Sequence, residues 1–431
     1  MKFEILRKSH LKRNIIIGAV CIAIISAIVL NFTRAKYRTT QSIPLVNGTI
    51  NYAPYDLKMV AMYQEEDGEY KSIDTVPTSG YSLNSKKSYC EVDDTKDNNV
   101  TMEYKNGRVS ISINKKGTKC YLYFDKYVSS KDTILEHYNI ILTRDDFNST
   151  VTDNTSRTIY KSINESQYDN DGEVYYFAGN PNDNWMYFAG YYWRIIRING
   201  DGTIRIIYNG NDTSQKSNSI KFTTFNSSSS DNAYVGYMYT INNVHGNATS
   251  STIKEIVDEW YQKNLTNYAE YIDLNSNFCG DRTAYLNSSG TELGGGMGQR
   301  KTYYGAYIRL VTNKNPSFKC SNNADLYTTE FADYGNRSLK YPIGLITADE
   351  VIYAGEYVSF DIENDLFYLN GDSFWTMTPS QTEFVFYYSG GVFYHDFGLA
   401  NANAGVRLVI NLRSDLEITG AGTVSDPYKI V

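Results

Sequence analysis

The chain has 431 residues, 42% of them hydrophobic, with a formal charge of −7 and five cysteines; this is room for two domains with packed cores. The composition excludes disorder and collagen. The acidic balance also argues against nucleic acid as a partner, because phosphate backbones need a clustered basic surface.

The charge is uneven. Up to Arg38, eight Lys and Arg stand against Glu4, a local charge of +7, which leaves −14 on the remainder. Residues 1–13 form a basic tail, and residues 14–32 contain the apolar run Ile15 to Leu30, which approaches membrane-spanning length. The reading favoured is an uncleaved signal anchor, since no clean small-residue cleavage site follows; a removed signal peptide is the alternative. The basic residues before the run favour a cytoplasmic N-terminus and an extracellular body, that is, a single-pass protein of the cell membrane. Cys21 lies in the run, while Cys90, Cys120, Cys279 and Cys320 fall as two sequential pairs in the acidic body, an even count suited to an oxidising compartment.

Beyond a linker at residues 33–44, residues 45–128 read as a small β-sandwich-like domain. DLKMVAMYQ, EYKSI, SYCEV, VTMEY, RVSISI and KCYLYF are strand-like runs bounded by turn residues. Asn106-Gly107 predicts a tight hairpin, and in RVSISI the residues Val109, Ile111 and Ile113 share a face. Cys90 and Cys120 each sit in a strand, so a bridge between them is expected, with two unpaired buried thiols as the alternative. Residues 129–144 read as a helical connector with Thr133 and Glu136 as a capping box. The larger domain, residues 145–431, contains a predicted helix from Thr252 to about Asn267 capped by Thr252 and Glu255. It also contains the hairpin YYWRIIRINGDGTIRIIYNG, two β-rich runs around Asn199 to Gly202. A second hairpin, EFVFYYSGGVFYHDF, turns at Ser389-Gly390-Gly391, and the serine-rich stretch from Asn209 to Asn232 reads as a surface excursion.

The segments YYFAGNPNDNWMYFAGYYWRIIRINGDGTIRIIYNG, FCGDRTA, KTYYGAYIRL, YPIGLITADEVIYAG, FWTMTPS, GVRLVINL and ITGAGTVSDPY, in this order, resemble uncharacterised N-terminally anchored surface proteins of low-GC bacteria, mainly Gram-positive gut species. The resemblance implies export and membrane attachment and no particular activity; Leu408 departs from it, standing where the family has proline. It adds support to pairing of Cys279 with Cys320. The early W-R-I-I hairpin, the W-T-M-T-P segment and the late G-V-R are also similar to the C-type-lectin-like fold of sulfatase-modifying-factor domains. The expected fold class is thus β-rich α+β: a single N-terminal transmembrane helix, a β-sandwich-like domain and a C-type-lectin-like mixed domain. Fold similarity does not fix function.

Chemistry is sparsely signalled. Of four histidines, His10 precedes the apolar run, leaving His137, His245 and His395, and neither G-x-S-x-G nor H-E-x-x-H occurs. Formylglycine generation would need active-site thiols, and the four cysteines are better explained as structural bridges. The run Gly294 to Lys301 fails the phosphate-loop spacing. Calcium is the one cofactor weighed: YDNDGE offers Asp169, Asn170 and Asp171, but Gln167 stands where the first aspartate belongs, and a plain turn is favoured. Asn180-Pro181-Asn182-Asp183 reads as a turn as well. The expected ligand surface is the last hairpin and the loop after it, with Tyr387, Tyr388, Phe393, Tyr394, His395, Asn401 and Asn403, because tyrosine packs on sugars and proteins at low entropic cost. The expected function is therefore non-enzymatic: a membrane-anchored surface recognition or adhesion protein binding a glycan or protein ligand. The alternatives are a structural or assembly component of the envelope, and an envelope glycan hydrolase using surface carboxylates.

Overall fold

The computed structural model describes residues 57–77, 80–105, 108–152, 157–213, 218–285, 302–358, 366–400 and 402–431. They belong to two compact units, one ending at Lys126 and one running from Tyr127 to Val431.

In the first unit, β1 (Leu57–Glu66) runs parallel to β8 (Thr118–Lys126), with β2 (Glu69–Ile73) antiparallel on the outer edge of β1. On the other side of β8 lie β4 (Tyr89–Val92) and then β5 (Thr95–Lys96), and β3 (Tyr81–Leu83) pairs with the end of β8. A separate antiparallel pair is formed by β6 (Thr101–Lys105) and β7 (Arg108–Ser112); the turn predicted at Asn106-Gly107 lies outside the described residues. Alternation in β7 buries Val109 and Ile111 into one cluster with Val60, Met62, Leu122 and Phe124 of the sheet, as a two-residue side-chain period requires. Cys90 and Cys120 stand opposite each other in the β4–β8 register and form a disulfide.

The second unit begins with α1 (Ser130–Glu136) and β9 (Ile140–Thr143). The expected connector at 129–144 is corrected on two counts. Its helix stops at Glu136, because Ile140 and Ile141 are β-branched and continue as a strand. The cap is Ser129, which accepts from the Asp132 N–H, not Thr133. A seven-stranded sheet follows: β9, β10 (Thr158–Lys161), β11 (Tyr175–Tyr176), β13 (Tyr191–Ile198), β14 (Ile204–Gly210) and β20 (Val409–Leu412) in that spatial order, with β12 (Trp185–Phe188) on β13. The expected central hairpin is β13–β14, with Gly202 at φ +84° in its turn.

The second sheet of this unit has five strands: β15 (Phe222–Thr223), β19 (Ala404–Gly405), β16 (Phe374–Gln381), β17 (Phe384–Ser389) and β18 (Val392–Gly398). Part of the supposed serine-rich excursion is therefore a strand; Ile220 donates its N–H to Val406 O beside it. Helix α2 (Thr252–Asn264) packs Ile253, Val257 and Tyr261 into the core and is capped by Ser251, one residue earlier than expected. Helix α3 (Ala348–Tyr353) is buried along its whole length.

Two buried arginines of the central hairpin meet α3. Glu350 accepts from Arg197 Nε at 3.0 Å and from Arg205 at 2.5 Å, while also closing a capping box with Thr347. Burial by itself would raise the Glu350 carboxyl, but the charges of Arg205 and Arg197 outweigh it and hold it below the ordinary carboxylate value.

The fold class expected from sequence is corrected at its first element. Among the described residues no helix is long and apolar enough to cross a membrane, so the structure does not support a single membrane helix. The predicted anchor at 14–32 lies outside the described residues, and what the structure does contain is β-rich.

Two outcomes test these packing arguments. Replacing Cys90 and Cys120 by serine frees a loop of 30 residues and should cost about 3–4 kcal/mol in urea unfolding. Glu350→Gln strands two buried guanidinium groups and should cost about 3–5 kcal/mol. Because the folded Glu350 carboxyl is depressed, its contribution is complete above about pH 4.5 and is lost as pH falls through the folded value. The variant should therefore show a smaller loss of stability than the parent between pH 5 and 2.

Candidate functional site

Three of the seven residues expected to form a ligand face are buried. Tyr388 and Phe393 are fully buried and Tyr387 nearly so; Phe374 stacks on Tyr388 and Phe386 on Phe393 on the sheet, while Tyr387 projects to the other face. This corrects the sequence expectation for those three. Tyr394 and His395 are half-buried, Tyr394 stacking on Tyr387 and His395 standing edge-on to Tyr307. Asn403 is exposed and Asn401 lies outside the described residues.

The calcium candidates Asp169 and Asp171 lie in a hydrogen-bonded turn. Asp169 Oδ1 accepts the N–H groups of Asp171 and Gly172. Its Oδ2 accepts the Gly200 N–H at 2.9 Å and faces Arg197 Nη1 at 3.3 Å. The carboxylate thus staples the 169–172 turn to the turn of the central hairpin. The approach is close enough that a Cβ on Gly200 would lie 2.3 Å from the Gly172 nitrogen. Asp171 accepts from the Tyr334 hydroxyl at 2.6 Å. Among the described residues no group of three or more His, Cys, Asp or Glu is arranged to hold a metal ion.

The histidines are placed apart. His137 Nδ1 pairs with the Tyr428 hydroxyl at 2.9 Å, and His245 Nδ1 with Asp325 at 3.0 Å. Asp325 is buried and also accepts from the Arg282 guanidinium and backbone N–H. The run Gly294 to Lys301 lies outside the described residues.

Two cavities of the second unit invite comparison, and size separates them. One lies among Arg197, Arg205, Arg309, Asp281, Asp349 and Glu350 beside the Cys279–Cys320 disulfide, and its volume of about 20 Å³ holds a single water. It is the interior of the ionic network. The other is a cleft of about 380 Å³, within the size of small-ligand sites.

One wall of this cleft is Tyr261 of α2, then Thr266, Ala269 and Leu274 from the turn that follows; the other is the chain from Thr329 to Pro342. The second wall is anchored at its root, where Leu326-Tyr327 pairs with Phe278-Cys279 next to the disulfide. The two walls are joined by the Thr329 hydroxyl, which donates to Leu274 O. Tyr261 is buried and stacks on half-buried Tyr341 with ring centroids 4.8 Å apart; burial and Tyr341 push its phenol up to about 12. Leu339 lies buried below, whereas Phe331 is 63% exposed.

Glu330, Arg337 and Lys340 are exposed along the rim, and Lys340 Nζ lies 4.9 Å from the Tyr341 ring centroid. Glu330 is the one carboxylate of the lining. Hydrolysis of a glycosidic bond by the usual route needs two carboxylates flanking it.

No protein-family model matches the chain, and neither a curated protein nor a solved structure is similar to it.

Sequence reasoning missed Tyr261, Phe331, Arg337, Lys340 and Tyr341. The segment YPIGLITADEVIYAG stands out in the sequence only by its order among other motifs, and its first two residues, Tyr341 and Pro342, line the cleft. Phe331 belongs to no periodic run, so no pattern pointed to it. The stapling role of Asp169 makes a direct prediction. Asp169→Ala should lower stability by about 2–4 kcal/mol, equally with calcium added or chelated, in thermal unfolding.

Proposed function

We propose that this is an exported recognition protein and that its second unit binds a saccharide in the cleft between the α2 turn and residues 329–342. The observation that carries the reading is Phe331. It is a large apolar ring left 63% exposed at the edge of a concave site. Burying such a ring is worth about 1.5–3 kcal/mol, a gain that folding leaves for a ligand. The apolar face of a pyranose fits a phenyl ring, and its hydroxyls suit the polar groups around it, Thr266, Thr329, Glu330, Arg337 and Lys340. Export is supported by the two disulfides, which persist in oxidising compartments. The single carboxylate of the lining favours binding over hydrolysis.

The test is a glycan screen of the full chain with its disulfides oxidised, followed by calorimetric titration of the best binder. Phe331→Ala should weaken that binder at least about tenfold, in line with the burial energy of the ring, and should leave the unfolding midpoint within about 0.5 kcal/mol, as for an exposed position. Full affinity in this variant would remove the cleft as the binding site.

A further inference from the structure

We infer that the saccharide taken by the cleft is an acidic one, bearing a carboxylate or sulfate that Arg337 and Lys340 receive at the rim. This rests on the reading of the cleft as a saccharide site and goes beyond it by naming the ligand's charge.

The first observation is that the cleft carries two cations against one carboxylate, on a body that is acidic as a whole. Outside the basic N-terminal stretch the chain carries −14, and some of its exposed cations pair with carboxylates while others, such as Lys58 and Lys221, have no ion pair among the described residues. Lys71 pairs with Glu66, Lys119 with Asp94, Lys161 with Glu173 and Arg413 with Asp415. Neither Arg337 nor Lys340 has an ion-pair partner among the described residues, although Glu330 shares the rim. The nearest arrangement is the ammonium of Lys340 over the Tyr341 ring, a contact that leaves its hydrogen-bond donors available.

The second observation is the backbone beneath Arg337. Its φ is +52°, a left-handed conformation that glycine adopts freely and a residue with a long side chain does not. The surroundings hold it there. The Arg337 N–H donates to Thr328 Oγ1 at 3.1 Å, and the N–H groups of Asn336 and Leu339 donate to Leu326 O and Thr328 O. Gly335, at φ +85°, lies so near that a Cβ would come 2.5 Å from Thr328 Cγ2. Here the side chain is a guanidinium at the cleft, five fixed donors matched to a planar carboxylate or a sulfate.

The third observation is spacing. Arg337 and Lys340 line the same wall as exposed Phe331. A ring resting on Phe331 can therefore bring an attached acid group within reach of either cation, and neutral sugars would leave both unused.

The experiment uses the full oxidised chain and four probes: a uronate tetrasaccharide, its methyl-esterified neutral form, a sulfated tetrasaccharide and its desulfated form. Binding of at least one acidic probe about tenfold tighter than its neutral counterpart is expected, as one or two charge-assisted hydrogen bonds imply. The preference should shrink with added salt, and the arm that binds identifies the acid group.

Arg337→Gly and Lys340→Gln should each weaken the acidic probe about fivefold to tenfold and leave the neutral one unchanged. Arg337→Gly should not lower the unfolding temperature, since glycine suits a φ of +52°. Equal affinity for acidic and neutral probes, or a preference that survives both substitutions, overturns the inference and leaves the saccharide reading standing. Absence of binding by folded protein to all four probes and to the wider glycan screen overturns both.

Discussion

The Glu350 carboxylate is the constraint on which the second unit depends. A buried anion needs more than one partner to offset its lost hydration, and Glu350 collects them from different elements. It takes guanidinium groups from neighbouring strands of the central hairpin, Arg197 and Arg205, and the backbone N–H of Thr347 at the start of α3. The same helix start reaches the second sheet, where the Ala348 N–H donates to Thr378 Oγ1 and Met377 donates to Ile346 O. One charged group thereby orients a hairpin and a helix whose chain is joined directly to the other sheet. Arg197 extends the network to Asp169, and Arg309 links Asp281 with Asp349 close by.

The network also explains why the charged cavity and the cleft proposed for ligand are different places. Acidic and basic side chains converge around a space of about 20 Å³, and their function is satisfied by each other. Asp281, for instance, is opposed by burial but held below the ordinary carboxylate value by Arg309 and Ser321. The cleft has the reverse chemistry. Its floor and walls are aromatic and aliphatic, its charges are at the rim, and its largest apolar ring faces solvent. The disulfide Cys279–Cys320 and the short pairing of Phe278-Cys279 with Leu326-Tyr327 lie at the root of the wall that carries Phe331, Arg337 and Lys340. Site residues on loops gain precision from such anchoring, because a loop fixed at its base has fewer conformations to lose on binding.

Much of the local structure was legible in the chain. Alternation in RVSISI and the glycine-bearing turn at 199–202 identified a strand and a hairpin, since both depend on residues that are neighbours in sequence. Helix starts were read one to four residues late, at Thr252 and Thr133, while Ser251 and Ser129 make the bonds; adjacent hydroxyl residues compete for the cap, and the direction of the incoming chain selects one. The terminal hairpin shows where such reasoning stops. Its aromatic residues suggested a binding face, but alternation says only that two faces exist. Packing of Phe374 on Tyr388, and of Phe386 on Phe393 within the hairpin, decided that Tyr388 and Phe393 point inward.

What the sequence by itself determined was the β-rich character of both units, the central hairpin and the two cysteine pairs, because strand alternation, turn chemistry and residue spacing are local properties. The location of the site was decided by tertiary structure alone. Tyr261 and Tyr341 are 80 positions apart in the chain, and their rings stack at 4.8 Å where the Thr329–Leu274 bond joins the segment after α2 to the 329–342 wall. Likewise, the sequence contains Arg337 and Lys340 as two ordinary cations. That neither has a carboxylate partner among the described residues is a property of distances that the fold sets.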